Sequence, residues 1–292
     1  MYHPTNAVAD IASRSSLSDG GKFYFYASQP DVQAANDFNK SCERQEANSS
    51  ILGCFSNGKI YVYDVTDVQL DGIKEVTASH EMLHAVWQRM GASEQKSVGS
   101  LLEATYAKIK TPELTERMAY YDRSEPGEKD NELHSILGTE FASLSPELET
   151  HYAKYFTNRS QIVSLHTQYQ SKFDTLKAQS DALKAQLDSM LVSLNAKSEK
   201  YNNDAKTLEA DIAALKASAD SVDRTSSTQV NQYNSKRAAL IARINALDAL
   251  RLDVNASSTA YNDKVTQYNK LIVSSNALTQ SLDSTLAPAP SL

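Results

Sequence analysis

The sequence predicts an α+β domain followed by a long antiparallel helical coiled-coil hairpin. Three observations predict it. His80-Glu81-Met82-Leu83-His84 lies within a helical repeat of apolar residues. Two strand-like runs meet at Ser56-Asn57-Gly58, a hairpin signal. From Tyr169 to Leu282, apolar positions recur in alternating steps of four and three. The expected division is a compact domain at 1–158, the hairpin at 159–286 and a tail at 287–292.

Taken in order, residues 1–22 are rich in Ser, Ala and Asp and read as a short helix or loose lead-in ending at Gly20-Gly21. Lys22-Phe23-Tyr24-Phe25-Tyr26-Ala27 is aromatic-rich and reads as a strand. Pro30 to Lys40 reads as a helix with Val32, Ala35 and Phe38 on one side. Ile51–Phe55 and Lys59–Val65 form the hairpin, and Asn-Gly is the preferred pair for a tight primed turn. Asp71-Gly72 then opens the central helix. Its apolar positions are Ile73, Val76, His80, Leu83, His84, Trp87 and Met90, and Gly91 stands where a helix-ending glycine belongs.

Ser93–Lys110 reads as the next helix. Thr111-Pro112-Glu113 is a cap followed by proline at the first helical position, for a helix reaching about Tyr121. A loop holds Pro126-Gly127. A further helix covers Asp130 to about Ser143. Ser145-Pro146 caps another, with no breaker before about Ala217. Beyond Arg159 the glycines vanish and the heptad positions begin, with polar interruptions at Ser180 and Lys197. Ser218–Thr228 is a polar break, and the pattern resumes at Tyr233 and ends before Ala-Pro-Ala-Pro at 287–290. Polar residues at such core positions set register. The expected product is a rod that serves as a spacer, a partner-binding arm or a dimerisation element.

The chain has 292 residues, 41% of them hydrophobic, and a formal net charge of −7. No basic block interleaved with aromatics occurs, which argues against a nucleic-acid partner. No run approaches 18 apolar residues, and the start at Met1-Tyr2-His3-Pro4 lacks the regions of an export signal. Cys42 and Cys54 lie close together in one small region and are expected to form a disulfide. A disulfide implies an extracytoplasmic location, secreted or at the cell surface. Export then requires a signal or anchor outside the chain as given, and any membrane attachment is expected through that anchor.

The chemistry concentrates at residues 80–84. Histidines four apart on a helix project from one face, one turn apart, where one ion can take both. Glu81 cannot reach the same position but can hold a water and take its proton. A catalytic zinc keeps three protein ligands and one open position. Candidates for the third are Glu103, Glu116, Glu132, His134 and Glu140. Glu132 and Glu140 share an otherwise apolar helix face with Ile136, where a carboxylate needs a partner.

His80–His84 with a downstream Asn131-Glu132-x-x-Ser135 resembles the gluzincin zinc metallopeptidases, of which thermolysin is the familiar member. The stretch from Glu132 through Glu140-Phe141-Ala142 to Pro146 and Tyr152 is similar to the glutamate helix of small gluzincins related to lethal-factor toxins and the Mlc titration factor peptidase. The resemblance covers about residues 50–156 and implies a zincin-like domain holding Zn2+. It implies Glu132 as third ligand, with Glu140 behind it or in its place. It also implies that an extended peptide substrate pairs along the strand at Ile60–Val65. Where thermolysin has an acid four residues after the ligand glutamate, this chain has Ile136, so histidine orientation must come from elsewhere, from Glu140 or a backbone carbonyl. Tyr120, Tyr121 and His134 are candidate oxyanion donors. The whole arrangement also resembles a group of bacterial surface proteins with no assigned substrate.

The expected activity is zinc-dependent endopeptidase cleavage with Glu81 as general base, carried on a coiled-coil stalk that can pair with a second copy. The rival is a structural or adhesion protein whose coiled coil binds a partner and whose metal is structural. Glu81 discriminates, because a purely structural site has no use for a carboxylate beside the open position.

Overall fold

The computed structural model describes residues 2–43 and 51–286; the 287–292 tail lies outside the described residues. Among the described residues the protein is mostly helical with one small sheet. It divides into two compact units, residues 1–175 with 275–292, and residues 176–274. The first unit therefore takes the opening turns of the long helix and the end of the return helix, which the sequence assigned to the hairpin.

The first unit begins with α1 (Asn6–Arg14), capped by the Thr5 side chain. The aromatic run is a helix, α2 (Asp19–Ala27), and not the expected strand. The Ser18 hydroxyl accepts from the Gly21 amide, and Asp19 sits in the first turn, where the helix dipole favours an acid. Packing needs a helix here too: Phe25 is buried, and Tyr24 meets Tyr155 edge-on at 5.9 Å. The expected helix at 30–40 splits into a strand, β1 (Asp31–Gln33), and a shorter helix, α3 (Ala35–Ser41).

Strands β2 (Gly53–Ser56) and β3 (Lys59–Tyr63) form the expected hairpin. Asn57 and Gly58 both have positive φ, 52° and 76°, as a primed turn requires. The sheet order is β1-β3-β2, with β1 parallel and β2 antiparallel to β3. The 60–65 strand is thus the centre of the sheet, its hydrogen bonds taken on both sides. It cannot be the free edge that the resemblance implied; β2 is an edge.

The central helix is α4 (Ile73–Arg89). It packs on β2 and β3 and, most extensively, on α7 (Lys129–Glu140). Gly138 makes that close approach possible: a Cβ there would stand 2.5 Å from Leu83 Cδ1 and 2.7 Å from Tyr152 Cε1. Leu133, Ile136 and Leu137 of α7 are fully buried with Met82 and Leu83 of α4. Between them in sequence come α5 (Ala92–Ile109) and α6 (Pro112–Ser124), the latter capped by Thr111 with Pro112 at its start.

Helix α8 (Pro146–Tyr152) is short, and the expected unbroken helix from Pro146 does not form. Residues 153–158 instead turn back to the α1–α2 junction. Leu17 bridges Phe156, and the Thr157 amide donates to Ser16 O at 2.8 Å. Arg159 then opens α9 (Arg159–Ser218). Its buried guanidinium pairs with Glu149 and donates to the carbonyls of Phe141 and Ala142, at 2.6 and 3.2 Å, just past α7. Ile162, Val163 and Leu165 are core residues of this unit.

In the second unit α9 and α10 (Ser227–Gln280) run as a helical hairpin. Lys197, a polar heptad position, donates to Asp253 and Ser257, both at 2.9 Å, and Arg243 pairs with Asp211. These cross-links set antiparallel register. The end of the return helix belongs to the first unit: Leu278 and Ser284 are buried, and Asn39 of α3 donates to Ser284 O at 2.8 Å.

Candidate metal centre

Helix α4 presents His80, Glu81 and His84 within one turn. Their ligand atoms all lie within 4.8 Å of one another, so the buried group could hold a metal ion. The histidine side chains are 13% and 11% exposed. Glu81 is 6% exposed.

Helix α7 brings Glu132 to the same point. Its Oε1 stands 3.4 Å from His84 Nε2 and its Oε2 3.7 Å from His80 Nε2. At 3.7 Å Oε2 is too far from His80 for a hydrogen bond, and among the described residues this buried oxygen has no hydrogen-bond partner. A buried carboxylate oxygen left bare is costly. Ligands on arms of about 2.1 Å around a tetrahedral centre stand about 3.4 Å apart, close to the spacing here. Two imidazole nitrogens and a carboxylate are also the donor types that zinc takes. The residues present therefore fit a metal.

A second observation concerns His84. Its Nδ1 lies 2.9 Å from Asn131 Oδ1 and 3.3 Å from Ser135 Oγ. The Asn131 amide donates from Nδ2 to Glu128 Oε2 at 3.0 Å, which turns Oδ1 toward the ring. His84 then carries its proton on Nδ1 and keeps the Nε2 lone pair for a ligand position. Asn131 and Ser135 are the polar residues of the Asn-Glu-x-x-Ser stretch. Their spacing was visible in the sequence, but the orienting contact was not, because it joins α7 to a helix 47 residues away.

The charges follow from this packing. Burial pushes the Glu81 carboxyl above its ordinary range, against the pull of the two histidines. Burial opposes ionisation of Glu132 as well, but there His80, His84 and Arg117 win and hold it below the usual range. Burial works against the His84 imidazolium, and the charges of Glu132 and Glu81 outweigh it, raising its pKa.

The remaining sequence candidates divide cleanly. Glu140 is committed elsewhere: Arg117 donates to both its oxygens at 2.8 Å, and His166 Nε2 stands 3.5 Å away. His134 is fully buried, sharing a 2.9 Å hydrogen bond with His151 and stacking on Tyr152 at 5.4 Å. Sealed among these rings and Trp87, it cannot reach a substrate, which removes it as an oxyanion donor. Tyr121 is half-buried beside Arg117, whose guanidinium lies 6.0 Å from its ring centre. Glu103 faces Lys129 at 2.6 Å. Cys42 and Cys54 are joined as a disulfide, which ties β2 to the end of α3.

No helix among the described residues is long and apolar enough to cross a membrane. No protein-family model, curated protein or solved structure matches the chain.

Proposed function

We propose that this chain is a zinc-dependent metalloendopeptidase of gluzincin type, working outside the cytoplasm, with the coiled-coil hairpin as its stalk. The observation that carries the reading is the bare, buried Oε2 of Glu132 facing the Nε2 atoms of His80 and His84. His80, His84 and Glu132 would hold the zinc. When bound, zinc supplies Lewis acidity, polarising a carbonyl and bringing the pKa of its water to about 7.

The chain's own residues do the rest. Glu81, pushed toward a higher pKa by burial, is suited to take a proton from the attacking water and return it to the leaving amine. Asn131 keeps the His84 proton on Nδ1, away from the ligand face. Tyr120 and Tyr121 are the remaining candidates to donate to the developing oxyanion. Strand β2 runs directly over α4 at Glu81, and among the described residues its outer edge has no strand partner, which leaves that edge for an extended peptide. The disulfide supports the extracytoplasmic location. The rival adhesion reading leaves the buried Glu81 carboxylate without a role.

The test is cleavage of a broad peptide library, read by mass spectrometry, with wild type and Glu81→Gln. Wild type should cleave, and the variant should keep its zinc while losing cleavage by several orders of magnitude. Equal cleavage by the two proteins removes Glu81 as the base, and no cleavage by zinc-loaded wild type removes the enzyme.

A further inference from the structure

We propose that Gly53, on strand β2, is a positioning residue that aims the Glu81 carboxylate. The inference rests on Glu81 being the general base and adds the residue that sets where its oxygens stand. Gly53 does not have a positive φ, so backbone conformation does not demand glycine there. Space does. A Cβ on Gly53 would stand 2.5 Å from Thr77 Cγ2, 2.9 Å from Glu81 Cγ and 2.9 Å from Glu81 Oε1. All three are well inside van der Waals contact, so a side chain at 53 must move something.

The strand is poorly placed to give way. Gly53 pairs with Val62 of β3, and Tyr63 N donates to Leu52 O at 2.8 Å. The next residue, Cys54, is bonded to Cys42 at the end of α3. That helix is itself anchored by Phe38, fully buried, with its ring 5.7 Å from that of Tyr63. Thr77 and Glu81 lie four apart on one face of α4, and both meet the strand at this glycine. Glu81 has more side-chain torsions than the β-branched Thr77, so it is the partner that a side chain at 53 would displace. The backbone of Gly53 thus acts as a wall that holds the carboxylate among the ligand atoms of His80 and His84.

The test is a pair of double-mutant cycles on the full chain. In the first, Gly53→Ala should keep one zinc and an unchanged KM but lower kcat about 100-fold, the scale expected for a catalytic group misplaced by roughly 1 Å. In a Glu81→Gln background the same substitution should produce no further loss. The second cycle reads no activity and uses the zinc-free protein in a Thr77→Ser background, which removes the 2.5 Å contact. There Gly53→Ala should lower the urea midpoint, and Glu81→Ala should restore it. Should Gly53→Ala alone fail to fold, Gly53→Ala with Thr77→Ser carries the kinetic comparison. Wild-type kcat in Gly53→Ala, an equal loss in both backgrounds, or a midpoint loss that Glu81→Ala leaves untouched overturns the proposal. If zinc-loaded wild type cleaves nothing, the enzyme reading fails, and the midpoint cycle still decides whether Gly53 sets the place of Glu81.

Discussion

At the scale of single residues, the centre illustrates how local and distant information separate in a sequence. His80, Glu81 and His84 were legible because helical periodicity alone puts them together. The choice between Glu132 and Glu140 was not, since both lie on one face of α7. What distinguishes them is Arg117, on a different helix, which occupies both oxygens of Glu140 and leaves Glu132 to face the histidines. The buried pair His134–His151 is not legible as a pair in the sequence for the same reason: its members lie on different helices. It has a measurable consequence. Burial and the nearby Lys154 charge depress His151 to about 4. The unfolded chain takes up that proton below about 6.5, so between these values it binds more protons than the folded chain. Stability is therefore present above about 6.5 and lost as pH falls toward 4. Urea midpoints at pH 7 and pH 4.5 should show a drop that is smaller in His151→Asn, by a difference of order 2 kcal/mol. An identical drop in both proteins would mean that His151 is not held neutral.

At the scale of elements, the close packing of α4 on α7 makes the site. Gly138→Ala should raise intrinsic helix propensity by about 1 kcal/mol. It should nonetheless lower stability by about 1–3 kcal/mol, because the new methyl overpacks against Leu83 and Tyr152. By pushing α7 off α4 it should also weaken zinc binding. Calorimetric melting with a zinc titration checks both, and a higher Tm with unchanged affinity would show that the interface is slack. The elements misread in the sequence failed where tertiary contacts overrode local pattern. An aromatic run of six reads equally as strand or helix until the Ser18 cap and the Tyr155 contact decide. Nothing between Pro146 and Ala217 is a breaker by composition. The helix stops because Tyr155 and Phe156 are taken into the core and Arg159 is drawn to the carbonyls past α7. Strand β3 became central because β1 was hidden inside a stretch that reads as helix.

At the scale of the whole molecule, the heptad pattern and the polar break made the hairpin legible, but not where the first unit ends. Ile162, Val163 and Leu165 belong to its core, and Leu278 and Ser284 are buried within it. A cut near Gln161 would strip these residues away. Replacing 176–274 with a short glycine-rich link should instead leave a folded protein that still binds zinc, measured by its melting transition and metal content. Loss of folding would show that the first unit depends on the hairpin. On the proposed reading His80, His84 and Glu132 together hold one zinc ion. An equilibrium zinc titration of wild type, Glu132→Ala and Glu140→Ala tests it most directly. Wild type should bind one zinc per chain, and Glu132→Ala should lose more affinity than Glu140→Ala. No zinc bound by wild type, or the reverse order of the two variants, would contradict it.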